Sequence, residues 1–363
     1  MLGEVVLEIM ATPGHTPESI SVLVWEHADD RVPYGVLTGD ALFIGDVGRP
    51  DLLASLGVSA ADLGGQLYDS VQHRLMGLDD AVRVFPAHGA GSACGKNLST
   101  ERASTIGEQR RTNYACRPMS REEFVELVTA DQPSAPPYFV FDALLNRHDR
   151  ARRPVDAEAP ALDDDAVGAA LAGGAVLLDA RDPSTFATGH RVGAQHVGVE
   201  GRLAETVGMV LDPGDDVVVL APDGREQEVA LRMARIGFDR VVGFVPRSEA
   251  WLTRSPADAV ETSSRLTPEQ LDHAMAGGGV QVVDVRNAGE LAGGVIPGAL
   301  HIPLAELDRR RGELDLTRPV VVYCRSGWRS SVAASLLRRR GAVDVSDLLG
   351  GFSAWDLVHD RVG

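Results

Sequence analysis

The sequence predicts an α/β fold class: a first part of strands and loops, then two α/β domains with parallel sheets. Three observations predict it. Short apolar runs punctuated by glycine and proline fill Met1 to Cys116, which is strand-like patterning. A charged, proline-bearing and aromatic-free stretch, Arg147 to Ala161, reads as a linker. Beyond it the chain repeats itself at a spacing of 103 to 105 residues, too long for a solenoid. At about 150 residues per domain, 363 residues make roughly two and a half domains. The boundaries expected are 1–150, 160–256 and 262–363.

Taken in order, Val5 to Ile9 is apolar, Ile20 to Trp25 alternates with serine, and Gly35 to Leu37 leads into Gly39-Asp40. Each reads as a strand. From Ser120 the pattern turns helical, and Ser120 with Glu123 forms a capping-box signature ahead of Phe124, Leu127 and Val128. In the repeat, Ala175-Val-Leu-Leu-Asp-Ala-Arg181 returns as Val280-Gln-Val-Val-Asp-Val-Arg286. Asp215-Asp-Val-Val-Val-Leu-Ala221 returns as Arg318-Pro-Val-Val-Val-Tyr-Cys324, and Trp251 returns as Trp355. Continuous apolar strands of this kind suit parallel sheets buried on both faces. Helices such as Ser330 to Arg339 would cover them.

Net charge is −17, from 52 acidic against 35 basic residues. An acidic surface of that size repels phosphate backbones and anionic lipid, so neither nucleic acid nor membrane is an expected partner. No apolar run approaches the ~18 residues of a bilayer span. Three irregularly spaced cysteines do not make a disulfide scaffold, and no signal-peptide pattern opens the chain. A cytoplasmic location is the expectation.

The sharpest chemistry lies in Val320-Val-Val-Tyr-Cys324-Arg-Ser-Gly-Trp-Arg329-Ser-Ser. A buried strand should end at Cys324, a short loop with Gly327 should follow, and a helix should start near Ser330. The thiol would then face backbone N–H groups at a helix N-terminus, with Arg325 and Arg329 adding positive charge that favours a thiolate. Such a thiolate can attack sulfane sulfur, and the N–H cradle can hold the persulfide. The competing reading is a buried strand-end cysteine with no reactivity.

Cys-Arg-Ser-Gly-Trp-Arg resembles the Cys-x-x-Gly-x-Arg loop of rhodanese sulfurtransferases. The surrounding Asp284-Val-Arg286, Glu290, Gly294-Val-Ile-Pro-Gly-Ala299, His301-Ile-Pro-Leu304 and Gly350-Gly351-Phe-Ser-Ala-Trp355 agree. Val295 departs from the histidine usual there. The resemblance implies Cys324 as nucleophile, with Arg325 and Arg329 as catalytic partners and Ser326, Gly327, Trp328 and Ser330 as substrate cradle. A protein-tyrosine-phosphatase loop would place its arginine six positions after the cysteine, where this chain has Ser330. In the preceding repeat Ala221 stands at the cysteine position and Asp223 brings negative charge to the cradle, so it resembles an inactive rhodanese copy.

In the first part, Thr12-Pro-Gly-His15-Thr, Thr38-Gly-Asp40 and Pro86-Ala-His88-Gly each put a candidate metal ligand at a strand end or glycine turn. They resemble the C-terminal part of a metallo-β-lactamase fold. Asp46-Val-Gly-Arg49-Pro-Asp51 and the run from His88 through Cys94 bring the likeness to its persulfide dioxygenase branch. That branch implies Fe(II), with Zn as the alternative, held through His15 and Asp40. His88 is a second-site or near-site candidate. The upstream Thr-His-x-His-x-Asp-His-type motif of the branch is not in the sequence, which reads as an N-terminal truncation, an uncovered sheet face and weak metal binding.

Taken together, these resemblances imply a persulfide dioxygenase–rhodanese fusion with tandem rhodanese domains, the second one active. The expected activity is sulfur transfer through a Cys324 persulfide. A small-molecule persulfide, thiosulfate or sulfite would be the partner, with homo-oligomerisation left open. Two alternatives stand beside it: a glyoxalase II-type metallohydrolase with accessory rhodanese modules, and a non-catalytic persulfide-binding fragment.

Overall fold

The computed structural model describes residues 3–52, 57–89, 99–130, 132, 135–149, 154 and 157–359. The chain divides into two compact units, Met1–Ala135 and Pro136–Gly363. This division precedes the boundary at 150 expected from composition. The helix Tyr138–Leu145 therefore belongs to the second unit.

The first unit is built on a five-stranded sheet in the order Val6–Ala11, Ile20–Trp25, Gly35–Gly39, Arg83–Pro86, Ser104–Thr105. Only the Gly35–Gly39 and Arg83–Pro86 pair is parallel. Alternation puts Leu23, Val36 and Val84 in the core with Leu67, Val71 and Phe124 from the helical side. On the opposite sheet face Ile9, Ile20 and Leu37 remain exposed, Ile9 by 62%. The helix Arg121–Thr129 carries the expected capping box of Ser120 and Glu123 and packs along Ala60–Tyr68. Cys116 is buried there, and burial pushes its thiol up to about 12, so it is an inert packing group.

The second unit holds two parallel sheets. The middle segment has strands ordered Gln195–His196, Val176–Asp179, Val217–Leu220, Val241–Phe244. The last segment has Leu300–His301, Gln281–Asp284, Val320–Tyr323, Val345–Leu348, Ser264–Leu266. Strands Val176–Asp179, Val217–Leu220 and Val320–Tyr323 are buried at every position, as continuous apolar runs require. One core cluster extends from Leu178 and Val219 through Val207 to Val322 and Leu337, so the two segments share their interior. Tyr138 enters this core beside Gly208, where a Cβ would lie 2.1 Å from its ring.

Both segments place a buried Asp-x-Arg pair at a strand end. Arg181 clamps Asp179 and donates to the Gly189 carbonyl at 2.9 Å. Arg286 clamps Asp284 and donates to the Gly294 carbonyl at 2.8 Å. His196 Nε2 bonds the Arg181 carbonyl at 2.9 Å, and His301 Nε2 bonds the Arg286 carbonyl at 2.8 Å. A carbonyl only accepts, so Nε2 carries the proton in each ring.

The edge strand Gln195–His196 docks onto the helix Trp328–Arg339 of the last segment. Gln195 Nε2 donates to the Val332 carbonyl at 3.2 Å and Ser335 Oγ at 2.7 Å, and the His196 N–H donates to Ser335 Oγ at 3.0 Å. His196 Nδ1 accepts from Ser331 Oγ at 3.0 Å. Burial holds His196 down at about 4, against an ordinary 6.5. The unfolded chain therefore binds a proton below pH 6.5 that the folded chain refuses. Stability from neutral His196 is full above pH 6.5, falls as pH drops through that value, and is lost by about pH 4, a difference of about 3 kcal/mol. Comparing urea unfolding of wild type and His196→Asn from pH 7 to pH 4 should show that extra slope only in the wild type. Parallel pH profiles would refute it.

Candidate active site

Strand Val320–Tyr323 delivers Cys324 to the end of the parallel sheet, where it is 1% exposed. The chain then turns through Gly327, whose φ of 98° lies in the left-handed region that favours glycine, and enters the twelve-residue helix Trp328–Arg339. The turn aims the Gly327 N–H at the sulfur, 3.2 Å from Sγ. The thiol donates to Ser330 Oγ at 3.7 Å, and Ser330 Oγ in turn donates to Asp347 Oδ2 at 3.5 Å. Burial holds Asp347 above the ordinary carboxylate value, although Arg265 bonds both its oxygens at 3.0 Å. Behind the loop Phe352 N–H donates to the Cys324 carbonyl at 2.7 Å. Gly351 (φ 60°) lies so close that a Cβ there would be 2.3 Å from the same oxygen.

Arg329 sits beside the sulfur but is not free. Its two terminal nitrogens bond both oxygens of Glu290, at 2.6 and 2.7 Å. Burial pushes the guanidinium down, and the Glu290 bond with the field of Cys324 outweighs it, leaving Arg329 above its ordinary value. The same pairing outweighs burial at Glu290 and keeps that carboxyl below its ordinary value. Arg329 therefore remains a fixed positive charge in the field of the thiol.

Cys324 opens onto a cavity of about 620 Å³. Ser326, Trp328 and Arg329 share its wall with Cys324, while Gly327 and Ser330 contact the sulfur from below. Arg325 is exposed and is not part of the wall. Sequence adjacency drew attention to Arg325 and missed Glu290 as the partner of Arg329. It also missed the far wall of the cavity, which comes from residues 200–209 of the middle segment. No local signal links those positions to Cys324. In the middle segment Gly224 has a φ of 85°, while Ala221 supplies no nucleophile and Asp223 accepts from the Ser248 N–H at 3.1 Å.

A rhodanese-like domain family matches residues 267–357. Thiosulfate sulfurtransferase GlpE of Stutzerimonas stutzeri is 36% identical over 103 residues, which are 27% of this chain and 94% of that relative. The chain belongs to the rhodanese-like family. The uncharacterized protein YqhL of Bacillus subtilis is 43% identical over 75 residues, 21% of this chain, and the chain spans 60% of that relative's length. Among solved structures, a metallo-beta-lactamase from Staphylococcus aureus superposes with a TM-score of 0.61 at 27% identity, covering 68% of this chain and 70% of its own. That coverage exceeds what the first unit alone can supply. The chain thus joins a metallo-β-lactamase-like fold to a rhodanese-like domain, both of the α/β class.

The metal-ligand candidates of the first unit come only partly together. His88 Nε2 lies 3.0 Å from Asp40 Oδ1. His15 turns Nδ1 to the Arg49 carbonyl at 3.1 Å, and burial pushes its ring down toward the neutral form. Asp40 is below its ordinary value because the His88 bond and the nearby His15 outweigh its burial. Among the described residues no three His, Cys, Asp or Glu side chains form a group that could hold a metal ion. A facial triad needs three such ligands, and the described residues bring Asp40 and His88 into direct contact with His15 nearby in their field. Cys94 and most of the glycine-rich run that follows His88 lie outside the described residues.

Proposed function

We propose that this rhodanese-like protein is a sulfurtransferase of sulfur metabolism that carries sulfane sulfur as a persulfide on Cys324. One observation carries the reading: the Cys324 sulfur receives the Gly327 N–H at 3.2 Å, at the mouth of a cavity and the N-terminus of a twelve-residue helix. Helix N-termini stabilise anions, first the thiolate and then the persulfide. With thiosulfate, the thiolate attacks the outer sulfur and a new S–S bond forms at Cys324. The old S–S bond breaks, and its electron pair leaves with sulfite. The Ser330 hydroxyl, which accepts from the thiol, can turn to donate to the thiolate, and Arg329 adds fixed positive charge nearby. A thiol or cyanide acceptor then takes the outer sulfur and regenerates the thiolate.

The middle segment is proposed as a rhodanese-like copy without its own chemistry, since Ala221 cannot form a covalent sulfur intermediate. Its strand order and its Asp179–Arg181 clamp support that reading. No metal-dependent step is assigned to the first unit. Intact-mass and peptide spectra after incubation with thiosulfate should show one added sulfur, about +32 Da, on Cys324. That adduct should vanish on treatment with cyanide. An unmodified Cys324, or a cyanide-insensitive adduct, would overturn the proposal.

A further inference from the structure

Given that reading of Cys324, we propose that its sulfur partner is an organic compound with an apolar body, selected by the middle segment, rather than inorganic thiosulfate. The cavity holds about 620 Å³, within the range of ~300–1,000 Å³ that receives drug-sized ligands. Thiosulfate has five heavy atoms and would leave most of that space to water. The wall opposite Cys324 comes from Glu200, Arg202 and the helix Leu203–Val210, with Thr206 and Met209 facing the cavity. Leu304 and Trp328 continue the apolar surface on the near side. Gly201 (φ 96°) lies against the Trp328 ring, where a Cβ would be at an ordinary contact distance of 3.6 Å.

Charge points the same way. The wall carries three carboxylates, Glu200, Glu205 and Glu290, against two guanidinium groups, Arg202 and Arg329. Both guanidiniums are already matched: Arg329 to Glu290, and Arg202 to Glu205. Glu200 draws on Arg225, which lies outside the wall. Among the described residues a dianion entering here meets the Gly327 N–H at the sulfur but no unpaired guanidinium in the wall, so little offsets the cost of stripping its water. An organic persulfide or thiosulfonate places its reactive sulfur in the same cradle. Its body lies on Met209, Leu304 and Trp328.

Two donors test the inference. Thiosulfate and benzenethiosulfonate both carry the outer sulfur on a sulfonyl group, and the second replaces one charged oxygen by a phenyl ring. In each case Cys324 gains an S–S bond, the donor S–S bond breaks, and the electron pair departs with sulfite or benzenesulfinate. No external oxidant or reductant is needed. The readout is the ratio of kcat/KM for benzenethiosulfonate to that for thiosulfate, which does not depend on the fraction of active protein.

The ratio should favour benzenethiosulfonate in the wild type and fall about tenfold in Met209→Glu, while Met209→Leu keeps it. Glu205→Arg, in the same wall and at the partner of Arg202, should also move the ratio toward thiosulfate by supplying unmatched cations. A wild type that prefers thiosulfate, or a ratio that neither Met209→Glu nor Glu205→Arg moves, overturns the inference and leaves the sulfurtransferase reading standing. Failure of both donors to form the Cys324 persulfide overturns that underlying reading instead.

Discussion

Cys324→Ser should abolish sulfur transfer, lowering turnover with thiosulfate and cyanide by ~10³-fold or more. The substitution keeps the shape of a side chain that is 1% exposed and leaves the Gly327 N–H and the Ser330 hydroxyl with an oxygen partner. What it removes is the chemistry. Oxygen is a far weaker nucleophile toward sulfane sulfur than a thiol sulfur, and among the described residues the groups bonded to Sγ are the Gly327 N–H and the Ser330 hydroxyl, neither of them a general base. Oxygen also cannot form the persulfide that the helix N-terminus would hold. Circular dichroism and the unfolding midpoint should stay near wild type, which separates loss of the nucleophile from loss of the fold. Retention of more than a tenth of the activity would sink the assignment of Cys324.

The largest effect on stability should come from Arg286→Leu. Arg286 and Asp284 are each 2% exposed and meet through three short bonds, two from Nε at 3.0 Å and one from Nη2 at 2.6 Å. Removing the arginine leaves a buried carboxylate without a countercharge, a change that typically costs about 3–5 kcal/mol. The loss extends beyond the pair, because the guanidinium also lies 4.3 Å from the Phe352 ring centre and donates to the Gly294 carbonyl. Phe352 holds the Cys324 carbonyl, so sulfur transfer should weaken together with stability. Asp284→Asn added to Arg286→Leu should recover part of the loss by removing the stranded charge. Urea denaturation of the three proteins decides it: a loss under 1 kcal/mol in the single variant, or no recovery in the double, would contradict the argument.

Much of this was legible in the residues, for local reasons. A run such as Val320-Val-Val-Tyr323 can only be satisfied inside a sheet, and Gly327 three residues after Cys324 announces the turn that aims an N–H at sulfur. The Ser120 and Glu123 capping box and the two Asp-x-Arg pairs are likewise local geometry. Long-range pairing was not legible. Glu290 reaches Arg329 across 39 positions, and Met209 faces a cavity that it shares with Cys324, 115 positions away. Neither spacing leaves a periodic trace. Arg325 shows the converse: next to the nucleophile in sequence, it is turned to solvent in space. The metal candidates each sit at a turn, as read: His88 meets Asp40, and His15 bonds the Arg49 carbonyl through Nδ1, leaving Nε2 out of that bond.

The docking of Gln195 and His196 has a consequence for how this chain can change over time. The helix that begins at the cradle accepts hydrogen bonds at the Val332 carbonyl and Ser335 Oγ from the edge strand of the neighbouring segment, and donates one from Ser331 Oγ to His196 Nδ1. Ala221 is fully buried in the same core cluster as Cys324, and Asp223 accepts from the Ser248 N–H, so packing constrains both positions even without chemistry of their own. Gln195 and His196 are constrained across the segment boundary, because replacement there strands polar groups against the helix that follows Cys324. A segment with no nucleophile is thus tied by its rim to the fate of the one that has it, and neither could be lost or exchanged alone. The two have become a single heritable part.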